Sequence, residues 1–307
     1  MKSISLFKYL HRDGDPKMSL LEKINRQVRE WRAEKRMAKS IYNKKDYKIL
    51  SKWLSVFHRG MFISPVISRE KIKFNININN FDLTLEIRKN QSDLYILREN
   101  FVQLIYNYDY EKYIQNPSSI VDLGANMGLS SLYFQSRFKN AKIVCVEPVQ
   151  ENVDMIMKNM KNNNFHWSIE KAAIQSNVGT VQLYPNEWWS SCTVVEDVAN
   201  KRQMNKERFE YSLKLEPVDV EAVPIDIILD RNNIEIVDIL KMDIEGAEQD
   251  SILNSPKWLN RVKILIIEIH DKYVDREKIT NVLLNNNYQR VIGRTGPTDV
   301  FINKNLV

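Results

Sequence analysis

Five carboxylates and one histidine fall at or just after the ends of four apolar runs: Asp122, Glu147, Asp243 with Glu245, and Glu268 with His270. Between the first two lies the turn Gly124-Ala125-Asn126-Met127-Gly128. Glycines there let a backbone turn sharply and approach a ligand closely. A helix that starts after such a turn presents free N–H groups to an anion. Asp122, Gly124, Ala125, Asn126 and Gly128 are therefore candidates for binding a cofactor. Glu147, 25 residues beyond Asp122, is placed to accept hydrogen bonds from the two hydroxyls of a ribose.

Asp243 and Glu245 lie two apart, so on a strand they share a face. With Glu268 beside them, three roles are open. They can bind an ammonium group, take a proton, or hold a divalent cation that polarises a hydroxyl. Clustered acids near a cationic ligand need no metal, and none is expected. Asp243 is expected near the cofactor, Glu245 or His270 near the acceptor, and Glu268 among the substrate contacts. An unperturbed pKa of about 6.5 makes His270 the natural general base. A histidine at a strand end can equally be held there by hydrogen bonds for structural reasons. Trp188, Trp189 and Ser191 sit in a polar stretch as candidate substrate contacts. The two tryptophans either stack on a sugar ring or form the packed core of their own loop.

The elements that must position these groups are legible from periodicity. Ser119 to Leu123 is a short apolar strand, and a helix follows over 129–138. Lys142 to Val146 is a second strand, and Val149, Val153, Ile156 and Met160 mark one face of a second helix. Strands at Trp167 to Ile169, Val237 to Met242 and Val262 to Ile269 continue the rhythm, with helices from about 246 and over 275–286. Strands separated by helical crossovers indicate a parallel, doubly wound sheet. In such sheets ligands bind outside the carboxyl ends of the strands, where these polar groups lie. Two last strands near 288–292 and 298–303, with Gly293, Gly296 and Pro297 between them, read as an antiparallel hairpin closing the sheet. The rhythm lapses between 175 and 225, where an insertion at about 185–216 is expected near the site.

A nicotinamide-binding oxidoreductase would also use a glycine turn and an acid after the second strand, but it wants G-x-G-x-x-G. Here Ala125-Asn126 stands where the second glycine should be.

The motifs Val121-Asp122-Leu123-Gly124-Ala125-Asn126-Met127-Gly128, Val146-Glu147-Pro148, Leu240 to Glu248 (LKMDIEGAE) and Ile267-Glu268-Ile269-His270 together resemble the FkbM-type methyltransferases. The segments Ser92-Asp93 to Tyr110 and Thr298-Asp299-Val300-Phe301 fit as well. The resemblance covers roughly residues 81–304, and K-x-D-x-E-G-A-E is its most specific piece. It implies a class I, Rossmann-like fold with a mostly parallel seven-stranded sheet. It also implies S-adenosylmethionine (SAM) as cofactor and O-methylation of a saccharide or natural product. At the third strand, Glu170 and Ala172 then become candidate adenine contacts. The methionine carboxylate becomes the anion expected at the turn.

Outside this core, residues 1–70 read as a basic helical extension and 71–115 as a β-hairpin and helical lead-in, leaving 116–307 as the catalytic core. Asp15-Pro16 is a helix start signal. Leu21, Ile24, Val28 and Trp31, then Tyr47, Leu50, Leu54 and Phe57, repeat at helical spacing over 16–58. Ile72 to Ile78 and Phe81 to Ile87 alternate about an Asn79-Asn80 turn, and a helical stretch is expected around 93–114.

The charge is uneven. Residues 1–60 carry 16 Lys/Arg against 6 Asp/Glu, whereas the rest carries 29 against 33. The basic helices can pack on the core or a second subunit, lie on an anionic membrane, or bind an acidic ligand. A non-catalytic scaffold built on this arm is the alternative of a different class. No zinc-finger or RNA-recognition pattern accompanies the charge, so no nucleic-acid partner is expected. No apolar run approaches a spanning helix, and Ile4 to Leu10 is a poor signal peptide, so a cytoplasmic protein is expected. Cys145 and Cys192 suggest neither a disulfide nor a metal site.

Overall fold

The computed structural model describes residues 19–58, 70–185, 192–200, 216–291 and 298–307. Trp188, Trp189 and Ser191 lie outside the described residues, as do Asp15-Pro16 and the glycines of the last turn. The chain divides into two units, Met1–Leu104 and Ile105–Val307.

In the first unit, α1 (Leu20–Ile41) starts at Ser19. The Ser19 hydroxyl accepts from Glu22 N, and the Glu22 carboxylate accepts from Ser19 N, which closes a capping box. Next come α2 (Lys44–His58) and the antiparallel pair β1 (Lys71–Ile78) and β2 (Phe81–Arg88). Asn79 and Asn80 both adopt positive φ, as a two-residue turn matched to strand twist requires. One face of the hairpin, including Phe74, Ile76, Leu83 and Leu85, is buried, as are Leu50, Trp53 and Leu54 of α2. Trp53 meets the Phe74 ring edge-on. The buried Glu34 carboxylate accepts from Arg98 and Gln103. The helix expected over 93–114 is shorter: α3 (Gln91–Arg98) runs into one π turn, Glu99–Gln103. It stops at Leu104, whose left-handed backbone lets its N–H close on the Glu99 carbonyl but cannot continue the helix.

The second unit alternates as expected. In chain order it holds β3 (Ser119–Leu123), α4 (Leu129–Arg137), β4 (Lys142–Val146), α5 (Gln150–Asn162), β5 (Ser168–Glu170), β6 (Ala173–Ile174), β7 (Gly179–Leu183) and β8 (Val218–Val223). Then follow α6 (Ile225–Arg231), β9 (Val237–Met242), α7 (Glu248–Asn254), β10 (Val262–Glu268), α8 (Arg276–Asn285), β11 (Tyr288–Val291) and β12 (Thr298–Asn303). Seven strands form one sheet in the order β11-β12-β10-β9-β3-β4-β5. Neighbours from β10 to β5 are parallel, while β12 pairs antiparallel with both β10 and β11. The fold is thus α/β and doubly wound, with an antiparallel edge.

Strand order reverses between β3 and β9, so a crevice opens at their carboxyl ends. The central strands are apolar on both faces because helices cover both. Val121, Leu123, Val144, Val146, Leu240 and Leu265 are all buried in one core. A second sheet, β6-β8-β7, flanks the region read as an insertion. Among the described residues no helix is long and apolar enough to cross a membrane.

Candidate cofactor and catalytic site

The turn after β3 is locked by its own backbone. Gly124 N and Ala125 N both donate to the Val146 carbonyl at the end of β4, at 3.0 Å each. Gly128 N donates to Ala125 O, and Met127 N donates to the Asn126 side chain. Asn126 N donates to Glu147 Oε2 at 2.9 Å. All five N–H groups of the turn are therefore used within the chain. The anion expected from the sequence belongs to the N–H groups at the start of α4, which are not among these five.

Glu147 is nearly fully buried and ties the two βα turns together. Besides Asn126 N, its carboxylate accepts from Val149 N at 3.0 Å and from Asn152 Nδ2 at 3.1 Å. Burial raises the carboxyl above its ordinary value, even though these donors and the charge of Lys241 oppose the shift. A carboxylate offers about four acceptor sites, so capacity for one further donor remains.

Asp122 has no exposed surface. Its Oδ2 accepts from the hydroxyls of Ser130 and Ser131 in the first turn of α4, at 2.5 and 2.7 Å. Its Oδ1 lies 3.1 Å from Lys241 Nζ. Direct contact with a cofactor, expected from the sequence, gives way to an internal role for this side chain. Glu170 is likewise committed, accepting from Asn232 Nδ2 at 2.8 Å, and Ala172 is packed in the core.

The ends of β9 and β10 bring four acids around one imidazole. His270 Nδ1 donates to Glu248 Oε1 at 2.8 Å. Glu248 is itself inaccessible to solvent, and its carboxylate accepts from Gly246 N. The other ring nitrogen faces Glu245 at 3.4 Å, Asp243 at 3.9 Å and Glu268 at 4.0 Å. Burial alone would lower the imidazole pKa. The bond to Glu248 and the charges of Glu245, Glu248 and Asp243 outweigh it and push the pKa up to about 10. The carboxylates around His270 thus favour its protonated form, whereas a resting base needs the neutral ring. Asp243, Glu245 and His270 also offer ligand atoms within 4.8 Å of one another, a spacing that one cation can bridge.

A raised histidine pKa has a definite sign in stability. The contribution is fully present below the ordinary value of 6.5 and is lost as pH rises through about 10. Wild-type protein should lose melting temperature across that window more steeply than His270→Gln. Parallel melting curves for the two would contradict the imidazolium.

The backbone beneath the cluster is itself constrained. Glu245 and Gly246 have positive φ, and the Thr193 hydroxyl donates to the Glu245 carbonyl at 2.8 Å. Lys241, Ser130 and Ser131, the partners of Asp122, were not among the residues expected at the site. The available signal was a lysine next to the last residue of a largely apolar strand.

Among known families, the Methyltransferase FkbM domain matches residues 122–290, from the acid before the turn to β11. Methyltransferase sdnD of Sordaria araneosa is 29% identical over an alignment of 213 residues that covers 62% of this chain and 79% of that protein. The 2-O-methyltransferase NoeI of Sinorhizobium fredii is 24% identical over 160 residues, covering 50% of this chain and 63% of its own. Among solved structures, the 16S rRNA N2 G1207 methyltransferase of T. thermophilus, in complex with AdoMet and guanosine, is a distant likeness. Its TM-score is 0.38 and its identity 13%, covering 76% of this chain and 50% of that one. With the family match spanning more than half of its residues and beginning at the acid that anchors the turn, the chain belongs to the FkbM methyltransferase family.

Proposed function

We propose that this chain transfers the methyl group of SAM to a hydroxyl of a saccharide or other hydroxylated metabolite. The observation that carries the reading is the convergence of Gly124 to Gly128, Glu147, Asp243 and the His270 cluster at the carboxyl ends of β3, β4, β9 and β10. The donor set suits the cofactor. Glu147 keeps acceptor capacity for a ribose hydroxyl, and the partly exposed Asp243 suits an ammonium group. Glu170 and Ala172 leave the adenine to the backbone at the end of β5. Bound there, the cofactor supplies a methyl group activated on a sulfonium. The name of NoeI supports an oxygen acceptor.

An alcohol is a poor nucleophile at neutral pH, so its proton needs an acceptor. The surrounding carboxylates favour a protonated His270, so that task falls to Glu245, with the imidazolium holding the carboxylate in place. Glu268 and the segment of Trp188, Trp189 and Ser191 are assigned to the acceptor. Glu245→Gln should then keep cofactor affinity while kcat falls by about 10²-fold or more. The assay is mass spectrometry of metabolite extracts incubated with enzyme and labelled SAM. Full turnover in Glu245→Gln would reject this base. In this reading turnover survives EDTA. Loss on chelation, restored by a divalent cation, would instead assign Asp243, Glu245 and His270 to a metal.

A further inference from the structure

Lys241 is buried in the middle of the sheet, and nothing in the transfer chemistry uses it. It stands opposite Asp122 in the parallel register of β3 and β9. Its ammonium group has three donors, and three partners surround it. Gly124 O accepts at 2.7 Å, Leu123 O accepts at 3.3 Å, and Asp122 Oδ1 lies at 3.1 Å. Asp122, in turn, holds the two serine hydroxyls that open α4.

We infer that Lys241 is a positioning residue that sets the cofactor turn. The Lys241–Asp122 pair grips the turn at both ends, the lysine on the Gly124 carbonyl and the aspartate on the first turn of α4. Fixing the Gly124 carbonyl fixes the peptide it shares with Ala125 N, which donates to Val146 O, and so sets the start of the next peptide, whose Asn126 N donates to Glu147. Lys241 thus acts through backbone and never touches the reacting atoms. The same Nζ lies 3.9 Å from Asp243 Oδ2, so one ammonium group links the turn to the acid at the end of β9.

A buried lysine next to a buried aspartate has a plainer explanation, mutual neutralisation. A double variant separates the two. Lys241→Met alone leaves Asp122 uncompensated and should lose much stability. Lys241→Met with Asp122→Asn removes both charges and keeps an acceptor for Ser130 and Ser131, so melting temperature should largely recover. If positioning is right, the turn stays loose in that double variant. Its amides over 124–128 should exchange with deuterium at least about tenfold faster than in wild type. S-adenosylhomocysteine affinity, measured by calorimetry, should stay at least about tenfold down, the effect of one charged hydrogen bond. Wild-type exchange and wild-type affinity in the double variant would reduce Lys241 to charge neutralisation and overturn the inference. The affinity arm rests on the proposed SAM site. Should wild-type protein bind no S-adenosylhomocysteine, that proposal fails, and the exchange arm still decides the role of Lys241.

Discussion

Gly124→Ala should leave the protein without a usable cofactor turn, with a stability loss of more than about 4 kcal/mol. A Cβ built at Gly124 would lie 1.8 Å from the carbonyl oxygen of Asp243 and 3.0 Å from its carbonyl carbon. Both are backbone atoms, so no side chain can swing aside. Asp243 is also pinned, because its N–H donates to Leu123 O. The φ of +73° adds strain for any residue with a Cβ. Relief requires β3 and β9 to part at the crevice, which displaces the turn and Asp243 together. Gly179→Ala is the control: nothing lies within 4 Å of its added Cβ, and its stability should match wild type. Urea denaturation of the two variants checks this. A Gly124→Ala protein as stable as the control, with unchanged affinity for S-adenosylhomocysteine, would refute the turn geometry.

Glu147→Gln should weaken S-adenosylhomocysteine binding by about a hundredfold or more, from the loss of charged hydrogen bonds. The substitution keeps the volume but turns one acceptor into a donor. Asn126 N, Val149 N and Asn152 Nδ2 all point at this carboxylate. Whichever way the amide is turned, its NH₂ faces one of those donors. The damage therefore reaches the turn after β3 and the start of α5 together, in addition to the ribose contact. Glu151→Gln, four residues on and exposed, should bind like wild type. Calorimetric titration of the three proteins is the measurement. Equal affinity in Glu147→Gln and wild type would move the cofactor away from this strand end.

How far the sequence could be read depends on where each determinant lives. Apolar runs separated by helical periods were sufficient for β3, β4, β9 and β10, because parallel strands buried on both faces are mostly apolar. Glu147, Asp243, Glu245 and His270 were legible because a polar residue at the end of such a run falls on the binding edge. The small sheet of β6, β7 and β8 escaped. Its β7 and β8 are largely exposed, with polar residues that read as loop. Lys241 escaped because its meaning lies in Asp122 and Gly124, more than a hundred residues away in sequence. The protonation of His270 escaped for the same reason. Type and position suggest a base near neutrality, while the carboxylates that reverse this gather only when β9 and β10 pair. The turn shows the limit of motif reasoning: its glycines were visible, but the occupation of its N–H groups by Val146 and Glu147 was not.

The central claim is a SAM site at the carboxyl ends of β3, β4 and β9. Calorimetric titration of the full chain with S-adenosylhomocysteine, run beside NAD, tests it most directly. Saturable one-to-one binding of S-adenosylhomocysteine and no binding of NAD are expected. Binding of NAD alone, or of neither ligand, would contradict it.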